Sequence, residues 1–257
     1  MPFNFRRMPR PVKLRKVLVV NFRTPAIPAE WPQVNALVEE YTEAIIQASH
    51  KMLVYKPVKK LDVSMYPIFT DGRQYNDASW TQARQNGQTA LRDAHGNLSL
   101  ADYERILHDY SILQAIQSNV IDEVWMFGGP YFGFYESRMA GQKAFWCNAP
   151  GIEQNCRRFV IMGFNYERGT REMVHSFGHR AESILAAHFG SQQFLQKLYT
   201  QQPGLTPKND YETWLLEHGT VHRAPGGADY GQNEFDWVAA LKTNWWPPII
   251  DPNLVKV

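Results

Sequence analysis

Residues 172–182 read EMVHSFGHRAE: two histidines four positions apart, with a glutamate one turn before them and another one turn after. On a helix, side chains at i and i+4 project side by side, so the imidazoles of His175 and His179 can share one cation, as in the H-x-x-x-H half of many zinc sites. At about 100° per residue, Glu172, His175, His179 and Glu182 fall within about 80° of arc. At a rise of ~1.5 Å per residue the two glutamates stand roughly 15 Å apart, too far to bind one ion together. The expectation is a divalent metal, zinc first, held by His175 and His179 and completed from elsewhere. Glu172 or Glu182 would serve as a displaced acid or base, or as a third ligand. The competing reading is a solvated helix face, in which Arg171, Glu172, His175, His179, Arg180 and Glu182 pair weakly along the surface.

Further ligands have to come from downstream. The pentapeptide HGTVH repeats the four-residue spacing at His218 and His222. Gly219 and the β-branched Thr220 and Val221 make it read as a loop or a strand, and in a strand alternation would put both histidines on one face. Glu212, Glu217 and Asp229 are the other donors in this region. A second stretch that could do chemistry is WMFGGPYFGFYESRMAG, residues 125–141. Tyr131, Phe132, Phe134 and Tyr135 are too many aromatics for an ordinary exposed loop. Tyr131, Phe134 and Tyr135 could form one wall of a groove, with Glu136 and Arg138 as polar contacts for a peptide, protein or polysaccharide. The alternative is a buried loop packed on a sheet.

Two smaller signals remain. Cys147 and Cys156 are the only cysteines. The Pro150–Gly151 turn between them allows a local disulfide, and two free buried thiols is the other reading. RDAHGNLSLADYERIL (92–107) echoes half of a calcium loop, but a capping box from Ser99 to Asp102 explains it better.

These residues need elements to carry them. VKLRKVLVVNF (12–22) reads as a strand, followed by a proline-rich entry at 24–32 and a helix over 33–52 with Val34, Leu37, Val38, Tyr41, Ile45 and Ala48 in its stripe. A second strand is expected at 59–69, then a long loop over 70–98. A helix over 98–117 follows, with strands at 119–130 and 156–167. The histidine helix spans 169–190 and stops at Gly190. Its apolar side, Met173, Val174, Phe177, Ala181, Ile184 and Leu185, should pack on the sheet, opposite the histidines. A helix at 191–200 and polar loops complete a looser final third. This alternation implies an α/β (α+β) fold: one mixed sheet with helices, in a single domain over 17–257 behind a basic leader, residues 1–16.

That order of elements, ending in an H-x-x-x-H helix after a strand, resembles the N-terminal half of the zincin metallopeptidase fold over residues 12–190. The resemblance implies an active-site helix lying under the sheet. It also exposes departures. A zincin takes its general base from the glutamate directly after the first histidine, and here that position is Ser176, which cannot accept a proton from water at neutral pH. The metzincin extension would need glycine and histidine where Glu182 and Leu185 stand, and no methionine follows Met173 to form a Met-turn. The segments at 125–141 and 157–180 are also similar to a group of uncharacterised bacterial proteins, which implies no activity.

Bulk properties narrow the field. At 44% hydrophobic and 13% aromatic, the chain is built to fold. A net charge of +2 does not suit the whole molecule to polyanions, so no nucleic acid is expected. The basic start MPFNFRRMPRPVKLRK could be a loose leader or an arm for a nucleic acid or membrane surface. No stretch approaches the roughly 20 apolar residues of a membrane span, so a soluble protein is expected, extracellular if a signal peptide has been trimmed. P-loop, dinucleotide-binding and G-x-S-x-G signatures are missing, which leaves nucleotide chemistry and a standard serine hydrolase unsupported. Two functions follow: a metal-dependent hydrolase with a degenerate metallopeptidase-like site, or a non-catalytic module that binds a partner through its aromatic surface.

Overall fold

In a computed structural model that describes residues 12–86 and 99–222, the chain folds around one five-stranded mixed sheet. Strand β1 (Lys13–Phe22) is exposed over its basic first residues and buried from Val17 onward. It pairs in parallel with β2 (Leu53–Val63) on one side and with β3 (Glu123–Gly128) on the other. Strand β3 pairs in parallel with β5 (Phe159–Asn165), and β4 (Ser137–Ala140) closes that edge antiparallel to β5. The sheet order is β2-β1-β3-β5-β4. Every residue of β3, EVWMFG, is buried, as a central strand covered on both faces must be. The β1 and β5 segments thus belong to one sheet, as the sequence pattern required.

Seven helices flank the sheet among the described residues: α1 (Val34–Ala48), α2 (Asp77–Asn86), α3 (Tyr103–Asp109), α4 (Ile112–Gln117), α5 (Thr170–Phe189), α6 (Gln192–Tyr199) and α7 (Asp210–His218). Helix α1 buries Val34, Leu37, Tyr41 and Ile45 of the expected stripe, while Val38 is half-buried and Ala48 exposed. Helix α5 touches α1, β4, α6 and α7, so it is packed on several sides. No described helix is long and apolar enough to cross a membrane.

Several boundaries differ from the sequence reading, each for a physical reason. Strand β2 ends at Val63 and does not extend over 59–69. It is an edge strand, and edge strands carry exposed lysines and tolerate proline: Lys56, Lys59 and Lys60 face solvent, and Pro57 lies where the β1–β2 register shifts. The expected loop at 70–98 contains α2, which buries only Trp80 and Ala83 and so shows no clear stripe. Its start is a reciprocal cap, in which Asn76 Oδ1 accepts from the Ser79 amide and Ser79 Oγ accepts from the Asn76 amide. The helix expected over 98–117 breaks at Ser111, whose φ is 53°, giving α3 and α4. Asp102 itself caps α3 through the Arg105 amide. Ser99 instead donates to Asp71, so the Ser99–Asp102 capping box does not form. Residues 92–98 of the calcium-like stretch lie outside the described residues, as do residues 1–11 of the expected leader, while Lys13–Lys16 belong to β1.

Helix α5 also corrects the face assignment. Its buried residues are Met173, Ser176, His179, Glu182, Ser183 and Ala186, a mostly polar stripe. Val174, Phe177 and Ile184 are half-buried against the main core, and Leu185 is exposed. The polar face lies inward because its groups find partners there.

Candidate metal centre

Helix α5 brings His175 and His179 together by its own periodicity. The Nε2 atoms of these residues are 3.1 Å apart. The third member arrives from the loop after α7: His222 Nε2 is 2.7 Å from His179 Nε2 and 3.4 Å from His175 Nε2. Three imidazoles thus turn one nitrogen each toward a common point, all within 4.8 Å of one another. Ligands about 2.0–2.1 Å from a tetrahedral ion stand roughly 3.3 Å apart, the scale of this triangle.

Two structural devices seat His222. At Gly178, in the middle of α5, an added Cβ would lie 2.7 Å from Val221 Cγ2, so only glycine lets the loop approach this closely. The Val221 amide then donates to Glu182 Oε1 at 2.6 Å. Helix α7, which leads into this loop, starts at Asn209, whose Oδ1 accepts from the Glu212 amide, while Glu212 Oε2 accepts from the Lys208 amide. It shares a small core with α5 and α6, built from Ala186, Phe194, Leu195, Tyr211 and Leu215.

Glu182 stands on the far side of the ring from the cluster. Its Oε2 is 3.5 Å from His179 Nδ1 and accepts a hydrogen bond from the Tyr199 hydroxyl. Both of its oxygens are therefore engaged away from the Nε2 triangle. A carboxylate at Nδ1 favours the tautomer with the proton there, which turns the Nε2 lone pair inward. The geometry makes Glu182 an orienting group and gives the third ligand position to His222. Glu172 lines a neighbouring cavity, and its backbone carbonyl accepts from the Ser176 hydroxyl at 2.9 Å. His218 is not part of the cluster: it ends α7, stacks on Trp214 and places Nδ1 3.1 Å from the Trp214 carbonyl. The alternation expected for 218–222 fails because His218 is helical and His222 is not. Glu212 and Glu217 belong to α7 and are not in the cluster, and Asp229 lies outside the described residues.

His175 and His222 resist protonation. Burial pushes the His175 pKa down, and the neighbouring His179 adds to the effect. Burial, with His179 and His175 close by, pushes His222 down to about 4. Neutral imidazoles are the form that binds a metal.

One cavity opens onto the triangle, and a second lies nearby, along the Glu172–Ser176 turn of α5. The larger, about 550 Å³, has a mostly apolar wall that includes Leu195, Tyr199 and the exposed Trp146, with His179 and His222 on its floor. The smaller, about 170 Å³, is lined by Tyr131, Phe134, Glu136, Glu172 and Ser176. Of the aromatic segment, Tyr131, Phe134 and Glu136 thus face a cavity. Tyr135 and Arg138 do not line it: the Arg138 guanidinium lies 4.9 Å over the Tyr103 ring and 5.7 Å over Tyr135, and its Nε donates to the Pro150 carbonyl. These two residues brace the loop. Cys147 and Cys156 are free and buried, so of the two readings the pair of buried thiols holds and not the disulfide. Cys147 Sγ faces the Ser137 hydroxyl at 3.8 Å instead.

Spacing alone pairs His175 and His179, whereas in the sequence His222 is one of several downstream donors. The Asn209–Glu212 cap was the available signal for α7 and hence for where His222 would land. No family model matches this chain, and no curated protein or solved structure is significantly similar to it.

Proposed function

We propose that this protein is a metal-dependent hydrolase of the metallopeptidase-like kind, with zinc as the expected ion and His175, His179 and His222 as its ligands. The observation that carries the reading is the convergence of three Nε2 atoms from two separate elements, with a carboxylate behind one of them. Three protein ligands leave a position open for substrate, the pattern of catalytic zinc sites and not of structural ones. When bound, the cation supplies Lewis acidity and a lowered pKa for water at that position. The protein's own residues do the rest: Glu182 fixes the His179 ring, Gly178 admits the His222 loop, and the cavity lined by His179 and His222, with the smaller one lined by Glu136 nearby, offers room for an extended chain. A peptide is the substrate class best suited to a cleft with one apolar and one aromatic–acidic wall. The parallel sheet with one antiparallel edge strand and an H-x-x-x-H helix beneath it supports the zincin-like reading of the architecture.

The test is metal content. Protein purified without added metal, or dialysed against a trace of zinc, should hold one transition-metal ion per chain by mass spectrometry. His175→Ala should abolish it while the chain remains folded. An equal metal content in wild type and His175→Ala would overturn the assignment.

A second reading, a non-catalytic module that binds a partner in the same cleft, is favoured by one observation: Ser176 holds the position of the usual base. Cleavage of an unstructured protein by the metal-loaded chain decides between the two.

A further inference from the structure

We infer that Glu136, at the mouth of strand β4, is the general base that the histidine helix lacks. This inference rests on the metal-centre reading above and adds a residue to it. Glu136 Oε2 is 3.9 Å from His179 Nε2, on the side of the ring that faces the triangle. Glu182, by contrast, meets the opposite nitrogen of the same ring. Glu136 stands outside the set of ligand atoms that lie within 4.8 Å of one another, so it is beside the metal position and not in it. A base that takes a proton from an attacking water needs such an outer placement, within reach of the water but not bound to the ion.

The carboxylate is held for this role. Asn148 Nδ2 donates to Glu136 Oε2 at 2.9 Å, and the Asn148 amide donates in turn to Ser183 Oγ on α5 at 3.2 Å. Arg168 Nη1 stands 4.0 Å from the other oxygen. The backbone is fixed too, because the Gly163 amide donates to the Glu136 carbonyl at 3.2 Å. Gly163 is required for that contact: an added Cβ would lie 2.3 Å from the Tyr135 carbonyl oxygen and 2.7 Å from Phe134 Cβ. A glycine on β5 therefore lets the 134–136 segment lie close against the sheet.

Ser176 leaves room for this carboxylate. It is buried, its hydroxyl is turned back to the Glu172 carbonyl, and it shares the smaller cavity with Glu136. The helix contributes a small side chain where a zincin would place a carboxylate, and a different element directs a carboxylate into the same space. In hydrolysis Glu136 would accept a proton from water as the new C–O bond forms at the amide carbon. It would then return that proton to the nitrogen as the C–N bond breaks, so that water and amide give acid and amine.

The test uses the full chain loaded with cobalt(II), whose visible spectrum reports on the site directly, with casein as substrate and acetohydroxamate as probe. A hydroxamate shares a hydrogen with a neighbouring base when it binds, so its affinity reads the base without any turnover. Glu136→Gln preserves size and should retain cobalt at the wild-type level, lower casein cleavage by about a hundredfold to ten-thousandfold, and weaken acetohydroxamate by about tenfold or more. Glu136→Asp should retain cobalt and fall between the two. Unchanged cleavage and probe affinity in Glu136→Gln overturn the inference and leave the metal centre intact. Loss of cobalt to the extent seen in His175→Ala also overturns it, because Glu136 is then a ligand. A wild-type chain that takes up no cobalt overturns the metal-centre reading itself. If the wild type binds cobalt and probe but cleaves no casein, the probe affinities of the two chains decide.

Discussion

His179 and Arg180 are neighbours on α5 and have opposite surroundings. Arg180 turns under the sheet, where its Nη2 meets Glu123 Oε2 at 2.7 Å and its Nη1 bonds the Tyr55 hydroxyl at 2.8 Å. Trp125 Nε1 donates to the other Glu123 oxygen at 2.9 Å, so that carboxylate is closed off on every side. One positive and one negative group cancel, with their hydrogen bonds made. His179 turns the other way, into a group of three like rings whose nitrogens point at each other. The first arrangement is complete as it stands, while the second gains a purpose when a cation sits at its centre. The contrast teaches that buried polar residues on one helix can serve attachment and chemistry within a single residue step.

The strongest attack on this contrast is Glu123→Ala. It leaves the Arg180 charge buried without its counter-ion, which should cost about 3–5 kcal/mol. Urea unfolding should show the loss whether or not zinc is added. A loss below about 1 kcal/mol, the scale of an ordinary surface change, would mean that Arg180 escapes to water and that the pair does not anchor α5.

A smaller effect should come from Glu182→Gln. The amide keeps the shape but not the charge facing His179 Nδ1, and loss of such an orienting carboxylate costs about 10–100-fold in metal affinity. Zinc titration against a competing chelator measures it. Affinity equal to wild type would show that the His179 ring is held by packing alone.

The mildest effect is a pH slope in the metal-free protein. The unfolded chain binds protons at imidazoles near their ordinary 6.5, while folded His175 resists them and folded His222 does so until about pH 4. The unfolded state then holds more protons in that window, so stability is complete above about pH 6.5 and declines as pH falls toward 4. Arg180 keeps its charge throughout. His222→Ala should therefore flatten the slope between these values in chemical denaturation series, and an unaltered slope would assign it to other groups.

How much of this was legible in the sequence depended on distance along the chain. His175 and His179 could be paired because i and i+4 are neighbours on any helix. His222 could not, because its approach depends on α7 and on Gly178, neither of which shows as a hydrophobic pattern. The strands with buried β-branched runs, β1 and β5, were readable from composition. Strand β4, SRMA, is too short to alternate, and β2 is masked by the lysines that protect its edge. The inward face of α5 was misread for a related cause. His179 and Glu182 look like surface residues until Tyr199, the Val221 amide and the other histidines are there to satisfy them, and Ser176 until its hydroxyl turns back to the Glu172 carbonyl. Glu136 stands out in the sequence through its aromatic neighbours, but its place beside His179 depends on the close approach at Gly163.

His179 and His222 are 43 positions apart. The chain between them contains all of α6 and α7. A cation held by both would tie the ends of that stretch into a ring, much as a disulfide does, in a region where neither cysteine lies. By the chain-entropy argument applied to disulfides, closing a ring of this length removes about 4 kcal/mol of freedom from the unfolded chain. The same ion that serves chemistry would then act as a reversible cross-link, and chelation would loosen the α6–α7 segment before the sheet.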